Sequence, residues 1–379
     1  MNIPLCKAHI PSQAFENIYK VLNSGKLSGD GSFCHIAEEK LKKIFNIKYA
    51  LLTSSCTHAL ETAMLLLDAD DQDEVILPSY TFASTANSVI VAGLKPVFCD
   101  IDPATMNMDP SDVVKKITPR TKAIIPVHYA GVACDMESLL KISDTYKLKI
   151  VEDAAHSIGA TWQNTSLGTI GDMGTLSFHD TKNIVCGEGG ALLTNNEELA
   201  EKALIIREKG TNRAKFLRGQ IDKYTWVLRG SSYVLAEPLA AILDAELDIL
   251  EELNLKRKHI YNYYISNLKT LEMQETLILP HIPKNCTSNY HLFHIILPNE
   301  EKRNALMEYL RSKGIGATFH YIPLHTAPLG QSFGYKKGDL PITEDFSNRL
   351  LRLPLYPDLE EQSLQYIVEE IHNWSDKSL

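Results

Sequence analysis

VEDAAHS (residues 151–157) and GDMGTLSFHDTKNIVCGEGGALLT (171–194) are the stretches that settle the architecture. KIVED (149–153) is a largely apolar run ending on the carboxylate of Asp153, and TLSF (175–178) is a second strand-like run with Lys182 shortly beyond it. In open α/β sheets ligands bind outside the carboxyl ends of the strands, so both side chains are expected to reach one crevice. A lysine amine forms a Schiff base with an aldehyde, and a carboxylate beneath a pyridinium nitrogen keeps that ring protonated as an electron sink. A charge pair at about 4 Å in an effective dielectric of about 20 is worth about 4 kcal/mol, enough to keep a pyridine protonated near neutral pH. Either residue alone says little, because a strand-end Asp is commonly a cap and a loop lysine is commonly solvated. The combination of Asp153, Ser177, Lys182 and Gly187-Glu188-Gly189-Gly190 in a strand-loop-strand context is far more specific. It points to pyridoxal 5'-phosphate (PLP) carried on Lys182.

On either side, short runs rich in Val, Ile and Leu alternate with helix-like segments: VIL (75–77), PVFCD (96–100), AIIPV (123–127) and ALLT (191–194). This pattern predicts a large, mostly parallel mixed sheet covered on both faces. YALLT (49–53) reads as a strand, and residues 57–67 place Leu60, Ala63, Met64 and Leu67 on one helical face. A helix-compatible stretch over 235–268 leads to a smaller α/β unit, with strand HLFHIIL (291–297), helix 299–314, strand ATFHYI (317–322) and a last helix over 359–375. The expected division is 1–240 for the large domain and 241–379 for the small one, with NWSDKSL (373–379) as frayed surface.

The chain has 379 residues, of which 44% are hydrophobic and 22% charged, ordinary for a globular protein with a sizeable core. A formal net charge of -9 gives no sequence-wide footprint for nucleic acid, so an anionic ligand must be held locally. The seven cysteines are scattered without a CxxC, which suggests neither a disulfide framework nor a zinc site and fits a reducing cytoplasm. His291 and His294 are three apart in an expected strand, on opposite faces, so no metal is expected. The N-terminus lacks the apolar core of a signal peptide, and no run approaches the ~18 apolar residues of a membrane span. An NAD-linked oxidoreductase is disfavoured, since GTIGDMG (168–174) lacks the GxGxxG spacing.

The cofactor phosphate needs donors, which a helix N-terminus supplies through free N–H groups and its dipole. Cys56, Thr57 and His58, between YALLT and the following helix, are placed for this, and the Thr57 and Ser177 hydroxyls add side-chain donors. A plain helix cap by Ser55 or Thr57 is compatible with the same arrangement.

The sequence resembles the sugar aminotransferases of the DegT/StrS type, within the fold type I PLP-dependent transferases. The likeness runs through SGKLSGDG (24–31), SSCTHALE (54–61), LPSYTFASTAN (77–87), HYAGVACDM (128–136), EDAAHS, SFHDTKN, GEGGALLT, REKGTNR (207–213), RGSSY (229–233), FHYIPLH (319–325) and LLRLPLY (350–356). It is greatest to the branch that makes dTDP-4-amino-4,6-dideoxy-D-galactose for enterobacterial common antigen, a relation that would place the chain in O-antigen or lipopolysaccharide-type amino sugar biosynthesis. The resemblance implies an α/β fold with a PLP-binding large domain and a smaller C-terminal domain. It makes Lys182 the Schiff-base lysine and proton shuttle and Asp153 the partner of the pyridine nitrogen. Phe82 falls where the family stacks an aromatic ring on the cofactor, and His156 where it sets a Gln or His against the ring. Tyr129, His320, Tyr321 and His325 are the implied sugar-nucleotide contacts. Strand alternation would send His320 and Tyr321 to opposite faces.

The resemblance further implies L-glutamate as amino donor, a nucleotide-linked keto-6-deoxy sugar as acceptor, and a homodimer with active sites at its interface. There are two departures, one from the wider family, at a GSSY motif that the dideoxygalactose branch shares, and one from that branch. Ser232 in GSSYV (230–234) stands where many members carry an Asn that reaches the neighbouring subunit's phosphate. The run from Lys182 to GEGG is one residue shorter than in the dideoxygalactose branch and matches the broader family. Related readings are 4-amino-4,6-dideoxyglucose-forming, 3-keto-sugar and UDP-sugar aminotransferases. Sugar dehydratases of this fold replace the lysine with histidine, and a non-catalytic PLP-binding regulatory member is the reading from another class.

Overall fold

A computed structural model describes residues 2–378. Seven strands form the main sheet: β1 (Tyr49–Thr53), β2 (Glu74–Pro78), β3 (Lys95–Cys99), β4 (Thr121–Ile124), β5 (Lys149–Asp153), β8 (Met173–Ser177) and β9 (Gly190–Thr194), in the order β1-β9-β8-β5-β4-β2-β3. A short ribbon of β6 (Thr161–Trp162), β7 (Thr165–Ser166) and β10 (Cys286–Thr287) lies beside it. Only β9 runs antiparallel to its two neighbours in the main sheet. Buried strands with apolar side chains on both faces need helices on both sides. Ala50, Leu52, Leu176 and Leu193 pack against α2 (Ser32–Phe45) and α9 (Glu237–Asp248). Leu51, Val151, Met173 and Leu192 face the opposite layer, which includes α3 (Cys56–Leu65) and α4 (Ala83–Val91).

The long helical stretch breaks at Ile249, whose backbone leaves the helical range (φ -112°, ψ 14°), so α9 is followed by a separate α10 (Leu250–Met273). Ala240, Leu243, Leu247, Leu250 and Leu253 still belong to the large core. From Ile260 onward α10 enters a second core with strands β11 (Phe293–Ile296) and β12 (Leu350–Leu353). Residue 240 therefore lies inside a helix packed on the main sheet, and the change of core falls between Leu253 and Ile260 of α10. Ile3 also packs into the second core, so the N-terminal strand segment crosses to it.

Two local expectations fail. ATFHYI forms no strand: only Thr318 bridges to Arg352, and the chain then runs irregularly over the cleft. Within NWSDKSL the helix Glu361–Ser378 carries Trp374 and Ser375 into buried positions, so residues 373–376 are not frayed; Leu379 lies outside the described residues. Among the described residues no helix is long and apolar enough to cross a membrane. Replacing the buried indole by a methyl forfeits the burial of a large side chain and leaves a cavity. Trp374→Ala is expected to lower unfolding free energy by about 3–5 kcal/mol in urea titration, whereas a frayed end would show no change.

Candidate active site

Asp153 ends β5 and is 5% exposed. One carboxylate oxygen accepts from Thr85 Oγ1 at 2.8 Å and the other from the Ala155 N–H at 3.2 Å. Thr85 comes from α4 and is itself bonded to Thr81 at 2.8 Å. Burial raises the proton affinity of Asp153 above the ordinary carboxylate range, and Thr85, Ala155 and nearby Lys182 and His128 oppose it. One residue earlier, fully buried Glu152 accepts from the amides of Gly168, Ile170 and Gly171 and pairs with His128 at 2.9 Å. That network fixes the β5 end from behind.

Lys182 sits half-buried in the turn after β8, its amide bonded to His179 O at 2.9 Å. Desolvation pushes its amine down to about 8; Cys56 and Asp153 resist that shift and Arg352 reinforces it. The fold therefore brings Lys182, Asp153 and Cys56 to one place, from β8, β5 and α3. Cys56 is buried, and burial with the nearby Asp153 raises its thiol well above its usual range, so it stays a neutral thiol.

At the start of α3, Ser55 caps the helix by accepting from the His58 amide at 3.1 Å. His58 is thereby removed from the set of free donors. Its ring is also committed, stacked on Tyr233 at 4.3 Å and bonded through Nδ1 to Ser54 Oγ at 2.7 Å. The amides of Cys56 and Thr57, at the first two positions of the helix, remain without an intrahelical partner. Gly190 makes the close approach possible, since a Cβ there would stand 2.4 Å from the Cys56 nitrogen. Thr57 Oγ1 donates to Ser84 Oγ at 2.8 Å, a hydroxyl that sequence reasoning missed; Ser177 is buried at the end of β8.

His156 is buried with its ring stacked on His291 at 4.2 Å, and Tyr321 meets its Nε2 at 3.4 Å. Desolvation and then Lys182 push its proton affinity far down, so it is neutral. Phe82, just before α4, is 62% exposed with its ring 6.3 Å from Tyr321. Tyr129 is buried and bonds His320 Nδ1 at 2.9 Å. His320 and Tyr321 do not diverge: their rings stack at 3.6 Å, because the segment is irregular and strand alternation does not apply. His325 is fully buried with Nδ1 on Ser79 at 2.7 Å and Nε2 on Glu344 at 2.9 Å. With both nitrogens engaged it pins this loop to the end of β2 and offers a ligand nothing. Ser232 is exposed and bridges Glu208 through its backbone.

Arg352 was also missed, although LLRLPLY contained it. It lies opposite His294 in the β11–β12 register, and its buried Nε has no partner among the described residues. Its charge acts on Lys182, His156, Tyr129 and His320. An arginine inside a strand reads as an outward charge, and only the partner strand shows where it points. Among the described residues no group of three or more His, Cys, Asp or Glu forms a metal site.

The donor set fits PLP: a buried carboxylate for a cationic ring nitrogen, free helix amides behind a glycine for a phosphate, and a lysine of lowered proton affinity. The comparisons agree. The DegT/DnrJ/EryC1/StrS aminotransferase family model matches residues 9–372, and the chain belongs to that family. It is 36% identical over 345 residues to a pleiotropic regulatory protein of Geobacillus stearothermophilus, covering 90% of this chain and 89% of that one. It is 32% identical over 381 residues to the spore coat polysaccharide biosynthesis protein SpsC of Bacillus subtilis, covering 98% and 96%. The PLP form of Spr1654 from Streptococcus pneumoniae superposes with a TM-score of 0.92 at 26% identity, with both chains fully covered. The chain is thus a PLP-dependent sugar aminotransferase with the fold type I architecture.

A lysine must be neutral to attack an aldehyde. Uptake of PLP by cofactor-free protein is therefore expected to accelerate as pH rises and to level off above about 8. Stopped-flow absorbance would read this; a rate still climbing tenfold per pH unit at 9 would match an ordinary lysine instead.

Proposed function

We propose that this enzyme moves the amino group of L-glutamate to C4 of dTDP-4-keto-6-deoxy-D-glucose, giving dTDP-4-amino-4,6-dideoxy-D-galactose, as a cytoplasmic homodimer with its sites at the interface. The observation that carries the chemistry is the meeting of Lys182, its proton affinity lowered to about 8, with the buried Asp153. In this reading Asp153 holds the protonated pyridine nitrogen, and the Cys56 and Thr57 amides with the Thr57 and Ser177 hydroxyls hold the phosphate. His156 and Phe82 are the side chains that would pack against the ring. Bound PLP supplies the electron sink. Lys182 would hold the cofactor through its amine, and its Nζ would take the proton from the donor's α-carbon and, in the second half-reaction, return one to C4 of the sugar. Arg352, without an anionic partner and acting on Lys182, supports a carboxylate donor beside the reacting atom. The neutral Tyr129, His320 and Tyr321 wall supports a hydroxyl-rich acceptor.

The dideoxygalactose assignment rests on the HYAGVAC, REKGTNR and FHYIPLH likeness. The shorter Lys182-to-GEGG run, which matches the broader family, is the feature on the side of a sister reading with a glucose-configured product, a 3-keto acceptor or a UDP carrier. Incubation with glutamate and a panel of dTDP- and UDP-linked 3- and 4-keto sugars, with product configuration by NMR, decides among them. The 4-keto dTDP sugar giving an axial 4-amine is the expected outcome, and preference for any other acceptor overturns it.

Borohydride treatment of the PLP-loaded protein is expected to leave the cofactor's mass on the Lys182 peptide, and Lys182→Ala is expected to lose at least about 100-fold in turnover. A variant that keeps its turnover would sink this role for Lys182, whereas PLP-loaded wild type whose absorbance does not respond to glutamate would favour the regulatory reading. Removing a charged hydrogen bond to a carboxylate costs about 1.5–3 kcal/mol. Arg352→Gln should accordingly raise the glutamate KM about 10- to 100-fold and leave the sugar KM unchanged, as initial-rate kinetics would show.

A further inference from the structure

Arg257 is 4% exposed, yet its hydrogen-bonding partners are main-chain carbonyls from three separate segments. Its two terminal nitrogens donate to Lys182 O at 3.4 Å, His291 O at 3.2 Å and Leu355 O at 3.4 Å. Three residues earlier on α10, and so on the same face, Asn254 accepts from Asn183 Nδ2 at 2.9 Å. Asn183 is buried beside Lys182, donates also to Asn289 O at 2.8 Å, and meets His291 Nδ1 at 2.8 Å. Asn289 in turn donates to His156 O at 2.8 Å and Ile158 O at 3.0 Å. One knot of polar side chains thus reaches the lysine turn, the segment before β11, the chain after β12 and the loop after β5.

We propose that Arg257, with Asn254 and Asn183, positions Lys182 by tying the backbone of its turn to the His291 segment, so that the lysine stem moves from a fixed root. The need is physical. In the reading given above, on which this inference rests, Lys182 must leave the cofactor and return to it, so its side chain swings while its Cα stays fixed. The turn is tied at its base by Lys182 N–H to His179 O, Cys186 N–H to Phe178 O and the His179–Gly187 bridge, but these bonds do not join it to the second unit, and displacement of a reacting group by about 1 Å can cost about 100-fold. Bonding the carbonyl of residue 182 and the side chain of residue 183 fixes the root without touching Nζ. The same knot sets the His291 ring against His156: with Asn183 turned so that its amide nitrogen serves Asn254 and Asn289, its oxygen faces His291 Nδ1, which carries the hydrogen. A guanidinium suits this task because its planar fork serves several carbonyls at once. Desolvation brings Arg257 down only to about 10, so it remains charged at physiological pH.

The test compares wild type, Arg257→Met, Arg257→Lys and Asn254→Ala as full-length proteins. In cofactor-free protein, amide exchange in peptides covering 179–186 and 289–292 is expected to accelerate at least about tenfold in R257M, with β2 and β4 unchanged. In PLP-loaded protein, kcat should fall about 10- to 100-fold with the sugar KM within about twofold, and the pH at which the bound cofactor's absorbance changes should move. R257K should recover part of each effect. Should R257M not fold, N254A keeps the buried cation and is expected to show the same local exchange signature in smaller degree. Unchanged exchange at 179–186, or acceleration spread evenly over the large domain, overturns the proposal. Because the exchange arm needs neither cofactor nor substrate, it stands apart from the borohydride result at Lys182, whose failure would strike the functional reading instead.

Discussion

A carboxylate sealed at the end of a central strand is the constraint around which the site is arranged. Asp153 has one hydroxyl and one amide as donors, and burial pushes it towards its neutral form. An isolated buried charge is costly, and its usual remedies are a paired cation or protonation. Lys182 stands under the mirror-image pressure, its amine also driven towards neutrality by burial. In the proposed reading, two groups that the protein alone satisfies poorly become useful together, the acid facing a protonated pyridine and the amine an aldehyde. The surrounding network is then intelligible: Thr85 of α4, bonded to Thr81 just before that helix, fixes the acid, and Glu152 with His128 locks the strand end from behind.

Charge in the remainder of the cleft is sparing. His156, His291, His294 and His320 are all pushed towards the neutral form by burial first, with Arg352 or Lys182 adding to it. Positive charge is concentrated on Lys182 and Arg352, while Tyr129, His320 and Tyr321 form a polar but uncharged wall. Such a surface suits two dissimilar guests in turn. A small amino acid anion needs one well-placed cation, and a sugar ring needs donors and acceptors that do not bind it too tightly.

What could be read from the sequence follows from the range of the physics involved. The strands bearing Asp153 and preceding Lys182 are short, buried runs with a turn beyond each, a local signal, and the helix start at Cys56 follows from Ser55 as a cap. His320 with Tyr321 could not be read, because their stacking depends on a backbone without repeat, and alternation applies only to strands. His58 looked like a free donor until Ser55 and Ser54 claimed it, and His325 looked like a ligand until Ser79 and Glu344 took both its nitrogens. Arg352 and Arg257 were invisible for a related reason. In one dimension an arginine in a strand or helix reads as solvated surface, and only distant segments folding over it reveal burial.

The division of labour between the two cores explains why the chemistry is more legible than the sugar. Asp153, Lys182 and the α3 amides come from elements of the main sheet, whose geometry is set by hydrophobic burial on both faces and tolerates little change. Arg352 and the His320–Tyr321 wall come from the second unit and its irregular loop, where, in the proposed reading, a changed residue alters what is recognised while the main-sheet elements that carry the acid and the amine stay in place. The two halves must still keep a fixed spacing, and α10 is the element that belongs to both: Leu253 lies in the large core, Tyr264 in the small one. Between them Arg257 reaches the carbonyl of Lys182. In the proposed reading, substrate loops can therefore diverge while the distance from Lys182 to the His320–Tyr321 wall is held by one helix.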